Sequence, residues 1–332
     1  MTQSVYPKII MKFKAILFTI VLSILTSLAM AEDGQQYFAF SYFTGNGEHG
    51  LHLLVSQDGL KWDKVNGGVP LYRQTLPGDN LMRDPSICKG PDGTWHLVWT
   101  TSWKRDFIGH STSVDLIHWT PSQAIPVMSH EPTCRNTWAP EIFYDDATEQ
   151  FYIFWSSTIP GRFSEHGTSE SSLDHRMYFV TTKDFKTFSP TKLFFNPGHN
   201  VIDGMIAKLD KTYYLFYKDE RLKRTTEDGK IVEGKSIWLA TAPSVEGPYT
   251  AGKIVSPMNW VEGPTAFRVN NRWLVLYDCY AAHHYGAIES ADGVNWTDVT
   301  DKLSIPKEVR HGTVFEISRE EYETLKAVGK KQ

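Results

Sequence analysis

Apolar and polar positions along this chain alternate in short runs, with almost no stretch of helical spacing. Four runs are rich in aromatics and share one length: Trp95-His96-Leu97-Val98-Trp99, Phe151-Tyr152-Ile153-Phe154-Trp155, Tyr213-Tyr214-Leu215-Phe216-Tyr217 and Trp273-Leu274-Val275-Leu276-Tyr277. Tyr37-Phe38-Ala39-Phe40 is a fifth. Such runs predict β-strands. All but the Tyr37 run follow another short apolar run and a polar turn.

A second pattern repeats in step with the first. Ser56-Gln57-Asp58-Gly59-Leu60-Lys61-Trp62 returns as Ser113-Val114-Asp115-Leu116-Ile117-His118-Trp119 and as Ser290-Ala291-Asp292-Gly293-Val294-Asn295-Trp296. Looser copies run from Thr182 to Phe188 and from Ala242 to Tyr249. Asp and Gly make a tight turn, and the aromatic four residues beyond Asp packs between strands. Five units of about 50 to 60 residues, each with four short strands, predict an all-β fold, a five-bladed β-propeller. Two packed β-sandwiches would not generate this register.

The chain ends fit the same picture. Gly312-Thr313-Val314-Phe315-Glu316-Ile317 has no partner downstream, and Tyr37 to Trp62 has no inner strand upstream. Joined, they close the ring in one blade built from both termini, which removes exposed sheet edges. Arg319 to Lys331 reads as a short helical tail.

Composition narrows the class. With 332 residues, 41% hydrophobic and 22% charged, the chain suits a globular protein of one large domain or two ordinary ones. A net charge of −4 leaves no basic field for nucleic acid. Lys12 and Lys14 precede an apolar run from Ala15 to Leu28, and Ala29-Met30-Ala31 supplies a cleavage pattern. Residues 1–31 therefore read as a signal peptide with an upstream extension before Met11, and residues 32–332 as a single propeller domain. The expectation is export to the periplasm or the exterior, without membrane insertion. Cys88, Cys134 and Cys279 are too few and too widely spaced for a disulfide framework, and His283-His284 lacks metal-site spacing.

The candidate chemistry sits at the starts of the inner strands. Aligned on the aromatic runs, these read Arg83-Asp84-Pro85, Pro140-Glu141-Ile142, Ile202-Asp203-Gly204, Val261-Glu262-Gly263 and Arg310-His311-Gly312. One Asp before Pro is ordinarily a turn residue. Four carboxylates and a histidine at matching positions predict a ring of ionisable groups around one end of the central channel. Like charges so placed repel, which raises the pKa of at least one and keeps a neutral acid beside an ionised base. Glycoside hydrolysis requires that pairing. Trp103, on the loop after the second strand of its blade, and the polar loop from Pro160 to Asp174 are placed to reach the mouth.

At these residues the sequence resembles glycoside hydrolase family 43, over about residues 36 to 318. Arg83-Asp84-Pro85, Trp138-Ala139-Pro140-Glu141, Val201-Ile202-Asp203, Val261-Glu262-Gly263-Pro264 and Arg310-His311-Gly312 carry it. The resemblance implies Asp84 as general base, Asp203 as the group that raises and orients the acid, and Glu262 as general acid. Trp138 would line the sugar pocket with Glu141 and Trp103, and Arg310 and His311 would lie near its floor. It implies single displacement with inversion, the base and acid about 6.5–9.5 Å apart. No cofactor is required, although some members hold a metal ion, calcium or another, on the axis beside that histidine.

The partner is then an oligo- or polysaccharide. The chain ends soon after its last strand, without the C-terminal β-sandwich of many xylosidases in the family. That favours an exo-acting α-L-arabinofuranosidase on plant polysaccharide, ahead of a β-xylosidase or β-galactosidase. A fructan hydrolase would need a further Asp near the N-terminus, and a sialidase an arginine cluster. The reading from another class is a carbohydrate-binding propeller without catalysis, which would have no use for three assembled carboxylates.

Overall fold

Strands this apolar need cover on both faces, and a ring of sheets supplies it. The computed structural model describes residues 34–163, 173–225 and 229–330. The expected signal segment, the middle of the Pro160–Asp174 loop and the last two residues lie outside them. From Gln36 onward, five four-stranded antiparallel sheets surround one axis.

Blade one runs outward as Arg83–Lys89, Trp95–Thr100, Ile108–Ser113 and Gln123–Ile125. Blade two is Trp138–Asp145, Gln150–Thr158, His175–Thr182 and Lys192–Phe195. Blade three is Val201–Leu209, Thr212–Asp219, Ser236–Ala242 and Lys253–Ile254, with an inserted hairpin of Lys223–Thr225 and Ile231–Glu233. Blade four is Glu262–Val269, Arg272–Cys279, His284–Ser290 and Thr297–Asp298. Blade five joins the termini: Val314–Ile317 is its inner strand, followed by Tyr37–Tyr42, His52–Ser56 and Asp63–Lys64. The predicted closure is the observed one. The helix α1, Arg319–Ala327, is capped by Ser318 and buries Tyr322 and Leu325 against the seam of blades five and one.

Each seam between blades has its own hydrophobic core, five in all among the described residues. Alternation along a strand divides its side chains between two of them. Tyr37 and Ala39 enter the seam with blade one, whereas Phe38 and Phe40 enter the seam with blade four. That is why these strands read as unbroken apolar runs.

The repeated turn does its part by hydrogen bonding. Ser56 Oγ accepts from the amides of Asp58 and Gly59, and Asp58 Oδ1 accepts from those of Leu60 and Lys61. The bonds recur around Asp115, Asp184 and Asp292. Cys88, Cys134 and Cys279 are all free thiols.

The inner strands share a defect. Pairing slips between Arg83 and Ser86, Trp138 and Glu141, Ile202 and Met205, and Glu262 and Thr265. Each slip is a β-bulge, and its second residue is left-handed: φ is 52° at Asp84, 48° at Ala139, 55° at Asp203 and 56° at Gly263. In blade five Arg310 bridges Phe43, and the Ser41 amide donates to the Thr313 carbonyl at 3.0 Å. Arg310 and Thr313 thus take the first and fourth positions there, with His311 in the second.

Gly312 is pressed against the strand it pairs with: a Cβ there would lie 1.7 Å from the Ser41 carbonyl oxygen. Gly312→Ala should therefore prise blade five apart where the ring closes. We expect a loss of about 1–3 kcal/mol, the usual cost of overpacking, measured by denaturant unfolding. A stability equal to the parent's would show that the closure tolerates displacement.

Candidate active site

The bulges decide what faces the axis. First positions are Arg83, Trp138, Ile202, Glu262 and Arg310; second positions are Asp84, Ala139, Asp203, Gly263 and His311. At this end a cavity of about 290 Å³ is lined by Asp84, Asp203, Glu262, Arg310 and His311, with Trp103 and Trp138 on one side. The structure thus brings together seven of the eight expected site residues. Gly263 makes room for the His311 ring, since a Cβ there would meet that ring at 2.4 Å.

Glu141 is the exception. It occupies a fourth position, in a buried layer with Ser86, Thr265 and Thr313, and does not line the cavity. Thr313 Oγ1 donates to Glu141 Oε2 at 2.9 Å, and burial pushes the carboxyl up to about 7. The expectation that Glu141 meets the sugar is corrected: counting residues from the aromatic run ignored the bulge, and Ala139 holds the place equivalent to Asp84. Likewise Glu262 stands one position before Asp84 and Asp203.

Asp84 is tied down from two sides. Thr100 Oγ1 donates to its Oδ2 at 2.8 Å while accepting from the Ala139 amide at 2.9 Å, which links blades one and two. His311 Nδ1 lies 3.3 Å from Asp84 Oδ1 and 4.0 Å from Asp203 Oδ1. Burial alone would raise Asp84, but the His311 contact and the charges of His311 and Arg83 bring it down to about 2. Burial alone would lower His311, yet Asp203 and Asp84 outweigh it and raise the imidazole to about 9. The pair is an ion pair over the neutral range.

Asp203 has fewer partners. It accepts from the Gly263 amide at 3.2 Å. Burial raises its carboxyl to about 6, with the negative charges of Glu262 and Asp84 adding to it against His311 and Lys218. Glu262 goes the other way. Burial opposes its ionisation, but Lys218 and Arg310, at 3.0 and 2.9 Å, hold it below the ordinary carboxylate range. The sequence predicted that Asp203 would keep Glu262 protonated; in the free site Asp203 is the carboxyl that is raised and Glu262 the one that is lowered. Lys218 and Arg310, two cations the alignment of acidic residues could not register, reverse the order.

These contacts extend into a chain of alternating charge. Lys235 lies 3.3 Å from Glu220, Glu220 2.9 Å from Lys218, Lys218 3.0 Å from Glu262, and Glu262 2.9 Å from Arg310, which meets Asp278 at 2.7 Å. Lys218 and Glu220, two apart at the end of a strand, both face the cavity as alternation requires. Sequence reasoning missed them. Their one signal was the charged run Lys218-Asp219-Glu220 closing an apolar strand.

Opposite the ladder stand aromatics. Trp103 and Trp138 meet edge to face at 5.4 Å, and the Arg83 guanidinium lies 4.7 Å over Trp103. Asp79 accepts from Ser102 Oγ and the Trp103 amide and holds that loop in place. Among the described residues no three His, Cys, Asp or Glu side chains are grouped to hold a metal ion directly.

Comparisons with known proteins agree with this architecture. The arabinanase of Cellvibrio cellulosa, solved with arabinohexaose, has a TM-score of 0.56 at 14% identity, covering 83% of this chain and 95% of its own. An exo-1,5-α-L-arabinanase from a bovine ruminal metagenomic library gives 0.55 at 16%, covering 80% and 93%. At these identities the likeness is one of fold. An α-L-arabinofuranosidase of Bifidobacterium longum subsp. longum is 25% identical over 224 residues, 57% of this chain. The chain spans only 21% of that protein's length. Residues 33–323 match a family described as a "Probable glycosyl hydrolase domain", related to glycoside hydrolase family 43. The chain belongs to that glycosyl hydrolase family.

Proposed function

We propose that this glycosidase removes single terminal sugars, α-L-arabinofuranosyl residues above all, from plant polysaccharide by inverting hydrolysis. The observation that carries this reading is the small cavity holding Asp84, Asp203 and Glu262 at its base. Its volume of about 290 Å³ lies at the low end of small-molecule sites, which suits one sugar ring and hence exo action. The arabinofuranosidase and arabinanase relatives support arabinose. Export through the N-terminal segment is part of the same proposal and would bring the enzyme to such a substrate.

Asp84, ionised throughout the working range, orients and deprotonates water on one face of the sugar. Asp203 and Glu262 lie close enough to influence each other's charge, so together they hold one proton below about pH 6 and titrate as a pair. Asp203 bears that proton in the free site. Glu262, at the first position of its strand, delivers it to the leaving oxygen. His311 and Arg310 fix the carboxylates they touch.

Substrate choice is settled by measuring sugars released from arabinan, arabinoxylan and arabinogalactan beside aryl xylosides and galactosides. We expect arabinose; xylose or galactose would reassign the substrate, and binding without turnover on every member would indicate a lectin. Proton nuclear magnetic resonance should show the first-formed sugar with anomeric configuration opposite to the substrate's; retention would exclude single displacement.

Roles separate by leaving group. Glu262→Ala should cut cleavage of natural glycosides by about 10²–10⁴-fold and spare an activated aryl glycoside, whose phenolate departs unaided. Asp84→Ala should suppress both alike, because water still lacks its base. Asp203→Asn should shift the alkaline limb of the pH–rate profile to lower pH. Without Asp203's negative charge, Glu262 gives up its proton more readily. An Asp84→Ala enzyme within a few-fold of the parent would remove Asp84 from the chemistry.

A further inference from the structure

The proposed chemistry contains a conflict. Glu262 has to carry a proton when the glycosidic bond breaks, yet the ammonium of Lys218 sits 3.0 Å from its Oε2. Arg310 meets its two carboxylates through separate nitrogens, Asp278 through Nε at 2.7 Å and Glu262 through Nη2 at 2.9 Å, so these contacts do not compete. Lys218 meets both of its carboxylates through one ammonium, with Glu220 Oε1 2.9 Å away, so a closer approach to one weakens its hold on the other. A side chain with two carboxylates at nearly equal range divides its charge between them.

We propose that Lys218, strung between Glu262 and Glu220, is a positioning residue that sets when Glu262 can take up the leaving-group proton. Glu220 is its counterweight. The inference rests on the proposed hydrolysis only for what the proton is used for.

The placement supports this. Lys218 is 5% exposed and leaves the second strand of blade three opposite Ile202, so its stem has no room to swing into solvent. Its ammonium also faces the Tyr280 ring at 5.1 Å. Glu220, 5% exposed, is drawn back from Lys218 by Lys235 at 3.3 Å. The other charges around Glu262 are Asp203 from blade three, Asp84 from blade one, Asp278 within blade four, and Arg310 and His311 from blade five. Tyr285, from the third strand of blade four, completes the ionisable neighbours; burial keeps it a neutral phenol. Of the two cations that hold Glu262, Lys218 alone does so with the same nitrogen that meets a carboxylate outside the catalytic set.

The sign follows for each end of the bridge. Removing Lys218 takes away a cation and makes Glu262 hold its proton to higher pH. Removing the charge of Glu220 leaves Lys218 wholly to Glu262, which then ionises at lower pH. A purely structural lysine would give no such opposition.

The test is the pH dependence of kcat/KM in the full chain for Lys218→Met, Lys218→Arg and Glu220→Gln, using the glycoside the parent cleaves. The alkaline limb should move up by about one to two units in Lys218→Met, the usual effect of losing a close opposite charge, and down in Glu220→Gln. Lys218→Arg should keep the parent's limb. A limb that stays put in both Lys218→Met and Glu220→Gln, or moves the same way in both, overturns the proposal. Carboxyl carbon resonances of [¹³C]Glu-labelled protein, with Glu262 assigned through Glu262→Gln, read the same titration without turnover. Opposed shifts in a protein that cleaves no glycoside would sink the hydrolase reading and leave the Lys218 bridge standing; turnover with an unmoved Glu262 would do the reverse. Should Lys218→Met fail to fold, Glu220→Gln decides alone: a midpoint unchanged or raised is fatal.

Discussion

A β-bulge at one place in four inner strands, matched by a kink in the fifth, is the constraint on which the rest of the site depends. A regular strand would send alternate side chains to the two seams beside it and none squarely to the axis. The extra residue turns the chain so that first and second positions both point at the cavity. The left-handed backbone this needs costs most residues energy, and Asp tolerates it better than most. Asp84 and Asp203 occupy two of these places, Gly263 a third, and Ala139 bears its φ of 48° because neighbouring bonds hold it. Function and local strain therefore share an address.

Collecting carboxylates at such an address would be self-defeating without cations. Here the answer is alternation. From Lys235 to Asp278 six charges follow one another in opposite sign, each within 3.3 Å of the next. Like charges never touch along that line, and each buried ion has at least one partner, which is the condition under which burial is tolerated. Asp203 stands off the line, between His311 and Glu262. It becomes the one of the three carboxyls that keeps its proton longest as pH rises.

The sequence announced much of this and hid the rest for physical reasons. Blade number, ring closure and the turn around Asp58 were legible because each repeats, and repetition survives changes of residue. Asp84, Asp203, Glu262 and His311 were legible because a charged residue at the start of an apolar strand is conspicuous. Bulges leave no compositional trace, so Glu141 was placed beside Asp84 when it belongs a layer deeper with Thr313. Lys218 and Glu220 lay at the far end of a strand, where charged residues ordinarily meet solvent. Both are buried among partners distant in sequence, Lys218 against Glu262 of blade four and Glu220 against Lys235, and no local pattern encodes those contacts.

The two walls of the cavity differ in kind. Blades one and two present Trp103 and Trp138, a surface suited to the apolar face of a sugar ring; blades three to five present the ladder, suited to hydroxyls. On the proposed function, a ring entering between them would have one favourable orientation about its own plane. Asp84 stands on the aromatic side and Glu262 on the charged side. A ring so oriented would lie between the two carboxyl groups, with water on the face toward Asp84 and the leaving oxygen toward Glu262. Inversion would then follow from the asymmetry of the propeller, because blades with equivalent backbones carry unlike side chains at their first two positions.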